Sequence, residues 1–177
     1  TLPIVVAVVA RHLHAGGRYG FWISTGLIVG LPTLVLLGSL NRWGRLFDSL
    51  QVLRFRVVNV LCWVVGLLFG MFGTIVVMRF GDGPGAFILA VGLFAFRGVI
   101  YGLAQGGGKL AWNLGHLHFA RSDRAEVYMG IHVFLTGIRG LIAPLGGMLL
   151  WNVIGWPVWV IAIALGLSAV LNYGILE

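Results

Sequence analysis

Long apolar runs separated by short polar gaps organise this chain. A helix that crosses about 30 Å of hydrocarbon needs roughly 20 residues at about 1.5 Å each. Five windows meet that length: Tyr19 to Leu40, Val57 to Met78, Ala86 to Gln105, Tyr128 to Leu150 and Val153 to Tyr173. None alternates polar and apolar positions with period two, as strands of a membrane barrel would. The pattern therefore predicts an all-α integral membrane protein, a polytopic bundle of five full transmembrane helices in one domain over residues 1–177. The opening stretch Thr1 to Ala10 is apolar but only half long enough, and reads as the stub of a span that begins upstream.

Composition removes the soluble alternatives. Of 177 residues, 59% are hydrophobic and 10% charged, whereas a soluble domain is about a quarter charged. Five acids and twelve bases cannot cover the surface of a water-soluble fold of this size. A soluble enzyme, a nucleic-acid binder and a disordered chain are excluded. The net charge of +7 comes from bases in the gaps between apolar runs, where they act as topology signals. Arg42, Arg45, Arg54 and Arg56 follow the first span, and Lys109, Arg121 and Arg124 follow the third, against Arg79 alone on the opposite side. The two basic connections are expected on the cytoplasmic side of a plasma (cytoplasmic) membrane, with Arg11 and Arg18 counting against the rule. The lone Cys62 excludes a disulfide framework and a cysteine zinc cage, and its apolar run makes it a packing residue.

The connections predict neighbours. Gly81-Asp82-Gly83-Pro84-Gly85 is a tight turn. Trp151 to Pro157 is equally short, and its tryptophans with Trp159 suit a headgroup-level aromatic belt. Short turns pair spans two and three, and likewise four and five.

Glycine and arginine then mark candidate working surfaces. Gly98, Gly102 and Gly106 recur every fourth residue in the third span, and Gly137, Gly140, Pro144 and Gly147 are similarly spaced in the fourth. Bare faces of this kind let helices approach closely in lipid. Arg97 and Arg139 each stand eleven residues into their spans, where a cation costs at least about 2.5–3.5 kcal/mol to insert. No span contains an acid to pair with them. Helical steps from Arg97 reach Tyr101, Gln105, Gly108 or Lys109, Trp112 and His116; steps back from Arg139 reach Thr136 and His132. Two polar seams on greasy helices are expected to face an internal cavity, with Arg97, Tyr101, Gln105, His132, Thr136 and Arg139 as its lining. No metal or other cofactor is expected: His116 and His118 point to different sides of a helix, and no acid or cysteine completes a ligand set. Gly106-Gly107-Gly108-Lys109 lacks the strand before it and the Ser/Thr after it that a phosphate loop needs.

The end of the first span, Gly44-Arg45-Leu46-Phe47-Asp48, resembles the Gly-x-Leu-x-Asp-Arg signature of the major facilitator superfamily of transporters. That signature lies between helices two and three of the family and, more weakly, between eight and nine. Here Ser49 stands in place of the signature's arginine, and Gln51 and Val52 replace a later Gly-Arg, with Arg54 and Arg56 following. Arg97-Gly98 with its spaced glycines is similar to the family's fourth or tenth helix. Phe119-Ala120-Arg121-Ser122-Asp123-Arg124 resembles the short basic connection after it, and Ala143-Pro144-Leu145-Gly146-Gly147 the glycine–proline motif of the fifth helix. The resemblance implies one six-helix half, the C-terminal one, with its first helix clipped. It also implies a cytoplasmic gate loop carrying Gly44, Asp48 and Arg54, in which Asp48 holds the gate closed.

The function expected is secondary transport of a small anionic or polar solute by alternating access, not enzymatic catalysis. The implied partners are the lipid bilayer, the solute and the N-terminal half of the same transporter; nucleic acid is not among them. His132 is the local candidate for proton coupling. Two readings compete with transport. One is a membrane-embedded metal or haem redox subunit or enzyme using His116, His118 and His132; the other is a non-catalytic scaffold bundle.

Overall fold

The computed structural model describes residues 4–5, 18–80, 83–115 and 125–176. Five long helices make up nearly all of these residues. We label as α1 the continuous rod of Arg18–Thr25, a π-helical turn at Gly26–Gly30, and Leu31–Ser49. The others are α2 (Val52–Phe80), α3 (Pro84–Leu114), α4 (Ala125–Ile154) and α5 (Val158–Ile175). All five are long and apolar enough to cross a membrane, and the chain is a multi-pass α-helical membrane protein.

The helices overrun the apolar windows, and this corrects the expected connections. The α1 rod continues through Arg42 and Arg45 to Ser49, and α2 starts at Val52, so the first basic connection is only Leu50–Gln51. Gly44 and Asp48 therefore lie on the last turns of α1, and Arg54 on the first turn of α2, rather than in a gate loop. Hydrophobicity reports where the oily layer ends, whereas a helix ends where its hydrogen bonds fail; Arg and Leu are both good helix formers. Likewise α4 continues to Ile154, and the turn into α5 is Gly155–Pro157, with Gly155 at φ 67°. Gly81, Asp82 and the connection 116–124, which carries His116, His118, Arg121 and Arg124, lie outside the described residues.

The π turn has a local cause. Pro32 has no amide N–H, and its ring crowds the carbonyl four residues back. The helix widens just before it, and the Leu31 N–H reaches back five residues to the Gly26 carbonyl.

Packing follows glycine and aromatic complementarity. The two central helices, α2 and α3, are antiparallel neighbours, as their tight turn predicts; α1 lies against α3, and α5 against α2. The bare face of α3 receives α1. A Cβ on Gly98 would come within 3.2 Å of the Leu27 carbonyl oxygen, one on Gly102 would collide with the Pro32 carbonyl oxygen, and one on Gly106 would reach 2.7 Å from Ser39 Oγ. On α2, Gly66, Gly70 and Gly73 make room in turn for Ile100, for Trp159 with Arg97, and for Phe94. One buried cluster joins Ile4, Val5, Val77, Ala90, Phe94, Val158 and Trp159. A second, at the other end, joins Trp43, Phe55 and Ala111, with Cys62 packed against it. Phe55 meets Trp43 and Phe47 edge-on, with ring centroids 5.4 and 5.0 Å apart.

Helix α4 breaks the expected pairing with α5. Their contact is slight, and no described side chain of α4 is buried. A short turn ties two helix ends together but leaves the rods free to splay. Trp159 and Gly166 give α5 a fitted seat on Gly70 and Val64 of α2 instead.

Candidate functional site

At the end of the bundle where α1 passes into α2 and where α3 and α5 finish, four helices border a cavity of about 520 Å³. Helix α2 supplies Arg56, Asn59, Val60 and Trp63 at three- to four-residue spacing, hence from one face. Helix α3 supplies Gln105, Gly108, Lys109, Ala111, Trp112 and Asn113; α4 gives Arg139, and α5 gives Tyr173. Three cations, three amides and three aromatic residues share this wall, and none of the lining residues is acidic.

Each group is held in a definable way. Arg56 lies across the C-terminal end of α3, donating from Nη2 to the Ala111 carbonyl at 3.4 Å. A cation is favoured there because the last carbonyls of a helix carry partial negative charge. Space for it comes from Gly115, where a Cβ would stand 3.1 Å from that same nitrogen. The Arg56 guanidinium also lies 5.9 Å from the Tyr173 ring centre, while its Nε is buried without a hydrogen-bond partner. Asn59, itself buried, donates to the Ala104 carbonyl at 2.8 Å and fixes α2 against α3. Bare Gly107 lets that amide pass, since a Cβ would sit 2.5 Å from Asn59 Nδ2. The Arg139 guanidinium lies 4.3 Å from the centre of the Trp112 ring, as a cation does over an aromatic face. His132, two turns earlier on α4, meets the same indole with ring centres 4.3 Å apart. Two α4 side chains thus lean on one α3 tryptophan at the fourth side of the cavity.

The residues expected to share one cavity fall into three settings. Gln105 and Arg139 line it. Arg97 does not: it is 3% exposed, in the core, with its stem against Gly70 and its guanidinium 5.0 Å from the Tyr101 ring centre. Its Nε is buried with no hydrogen-bond partner among the described residues, as is Nε1 of the fully buried Trp159, which also packs against Gly70. Tyr101 sits between the two places, with Arg97 on its ring and Trp63 of the cavity wall edge-on at 5.1 Å. Thr136 donates its hydroxyl to the His132 carbonyl at 2.7 Å, a bond internal to α4. Gly44, Asp48 and Arg54 stand apart from the cavity, Asp48 and Arg54 being exposed. Of the helix-packing glycines, Gly98, Gly102 and Gly106 meet α1, whereas Gly137, Gly140 and Gly147 meet nothing within 4 Å among the described residues. Pro144 lies within α4 and is exposed.

Sequence reading passed over Arg56, Asn59, Trp63, Asn113 and Tyr173. In the sequence Arg56 reads as a topology charge that follows the loop signature. The signal was nonetheless available: Arg56, Asn59 and Trp63 form a third polar seam, at the same helical spacing that marked those on α3 and α4. Among the described residues no three His, Cys, Asp or Glu side chains converge as a metal site would require.

A polytopic helical membrane protein with a basic cavity between its helices, lined by no acid among the described residues, is the class that fold and site define. Compared with the models of known protein families, with curated proteins and with solved structures, the chain finds no match.

Proposed function

We propose that the chain is part of a secondary transporter that carries a small anionic solute by alternating access, with the cavity between α2, α3, α4 and α5 as the solute's place. One observation carries this reading: Arg56, Lys109 and Arg139 line a single space with no carboxylate among its described walls. Arginine and lysine are the side chains that grip anionic groups through charge-assisted hydrogen bonds. Cations gathered in a membrane bundle repel one another and lose hydration, so such groups mark solute or ion pathways. An anion entering the cavity relieves both costs. A volume of about 520 Å³ falls within the range of roughly 300–1,000 Å³ for small-molecule sites.

The ordered resemblance to the major facilitator superfamily supports the same reading. Transporters of that design rock two halves about a central site, and a second half of the same transporter would complete the pathway from the open side of α4. The slight attachment of α4 fits an element that moves while α1, α2, α3 and α5 stay together.

The test is uptake of labelled small anions (inorganic phosphate, sulfate and a set of carboxylates) into vesicles holding the full-length protein. Lys109→Gln and Arg139→Gln are each expected to lower uptake at least about tenfold, with the protein still inserted and helical. Absence of uptake for every anion, or uptake indifferent to both substitutions, overturns the proposal.

A further inference from the structure

Resting on that reading, we infer that the solute is a flat-bodied organic dianion: a ring system carrying a doubly negative head, such as a phosphate monoester. Size argues first. One water occupies about 30 Å³ in the liquid, so a cavity of about 520 Å³ is far larger than a bare inorganic anion. An inorganic ion would leave most of the space, and most of the aromatic wall, in contact with water alone.

Charge argues second. Arg56 is partly offset, because it spends one N–H on the Ala111 carbonyl at the negative end of α3. Among the described residues Lys109 and Arg139 have no such carbonyl, and Arg139 leans on the face of Trp112. Roughly two positive charges are thus left to balance, which a phosphate monoester with about −1.5 to −2 at neutral pH matches. A guanidinium carries its N–H donors in its own plane, and that edge grips a phosphate or carboxylate in two-point fashion.

The rest of the lining argues for the body. Trp63, Trp112 and Tyr173 contribute large flat surfaces. Gly108 packs beside the Trp63 indole, with 3.8 Å from its Cβ position to Nε1 and 3.7 Å to Asn59 Oδ1. Three amides, Asn59, Gln105 and Asn113, add donors and acceptors for polar substituents on the ring. Aliphatic side chains are nearly absent from the lining: Val60 and Ala111 are the two. A flexible greasy tail would find little to pack on.

Isothermal titration of the full-length protein in phosphatidylcholine nanodiscs tests this with four probes: 1-naphthyl phosphate, inorganic phosphate, 2-naphthoate and 1-naphthol. The expected order puts naphthyl phosphate first, at least about tenfold tighter than each of the others. Lys109→Gln and Arg139→Gln should each weaken it about tenfold, and Trp63→Leu should bring it close to inorganic phosphate. Lys109 and Arg139 are exposed, so their variants should fold, and unchanged helicity checks that they do. Equal binding of inorganic phosphate, equal binding of naphthol, or no binding of any probe overturns the inference. So does a loss of naphthyl phosphate binding when phosphatidic acid is added to the nanodisc, because a lipid headgroup then owns the site. The two proposals fail separately. Naphthyl phosphate binding without any uptake removes the transporter and keeps the dianion site; uptake of inorganic anions unaffected by excess naphthyl phosphate removes the dianion and keeps the transporter.

Discussion

Helices α3 and α4 are written in nearly the same way. Each is an apolar rod with an arginine deep in its span and small residues at helical spacing beside it. Their fates differ. In α3 the arginine is 3% exposed, and the glycines at 98, 102 and 106 are pressed against the backbone and side chains of α1. In α4 the arginine is exposed and the glycines at 137, 140 and 147 face open space among the described residues. A bare stripe is thus permission for close approach, and a partner with matching relief decides whether it is used. The partner of α3 is unusual in just that respect: α1 widens into a π turn ahead of Pro32, and the Leu27 and Pro32 carbonyls that face Gly98 and Gly102 belong to this stretch.

The sharpest way to break the comparison is to fill the same kind of position on both helices. Gly102→Leu puts a side chain where the Pro32 carbonyl oxygen and Val35 already stand, and should cost about 3 kcal/mol or more of stability by detergent-unfolding titration. Retained stability would mean that α1 and α3 are not in contact there. Next in size is Asn59→Ala. It removes the inter-helix donor to the Ala104 carbonyl, which keeps its bond within α3, so the cost is that of one net hydrogen bond, about 0.5–1.5 kcal/mol; a loss below about 0.3 kcal/mol would show that this amide does not tie α2 to α3.

Arg97→Met is expected to run the other way. The guanidinium is buried, its Nε has no hydrogen-bond partner among the described residues, and it lies over the Tyr101 ring. Replacing unpaired buried charge by an apolar chain of similar length should raise stability by about 1 kcal/mol in the same titration. A loss of 2 kcal/mol or more would reveal a partner for Arg97 and join it to the polar pathway. Smallest of all, Gly140→Leu and Arg139→Gln should leave stability within about 0.5 kcal/mol, since neither side chain is enclosed. For Arg139→Gln this sharpens the contrast: uptake falls while stability does not, whereas Arg97→Met moves stability first. A marked destabilisation by Gly140→Leu would show that α4 is packed against something in the folded protein.

Much of the architecture was readable from the apolar windows, because a bilayer admits so few solutions: backbone groups must bond within a helix, and the oily layer fixes how long it must be. The site was readable in pieces. Gln105, Lys109 and Trp112 fall on the seam counted from Arg97, and Arg139 on its own helix, yet Arg97 itself turns into the core. The step from Arg97 to Gln105 is two turns, about 12 Å along the axis, and so far along a helix the neighbours change completely. At one level α3 faces Gly70 and Trp159, and at the other Asn59, Trp63 and open space. Arg56 and Tyr173 were hidden for a different reason. Both sit at helix ends, where a base or a tyrosine is expected to face the headgroups, and only the neighbouring ends of α3 and α5 turn them into walls of a cavity.

The sequence by itself determined that this chain is helical, that it crosses a membrane several times, and that cations without acids lie within its spans. Those properties follow from transfer free energies and hydrogen-bonding needs, which each segment settles alone with its solvent. Only the tertiary structure decided which cations share a space, which glycines are contacts, and which helix stands apart. Those depend on the fit of two surfaces, such as Gly102 to the Pro32 carbonyl or Gly70 to Trp159, and fit is a property of the pair that neither helix carries in its own spelling.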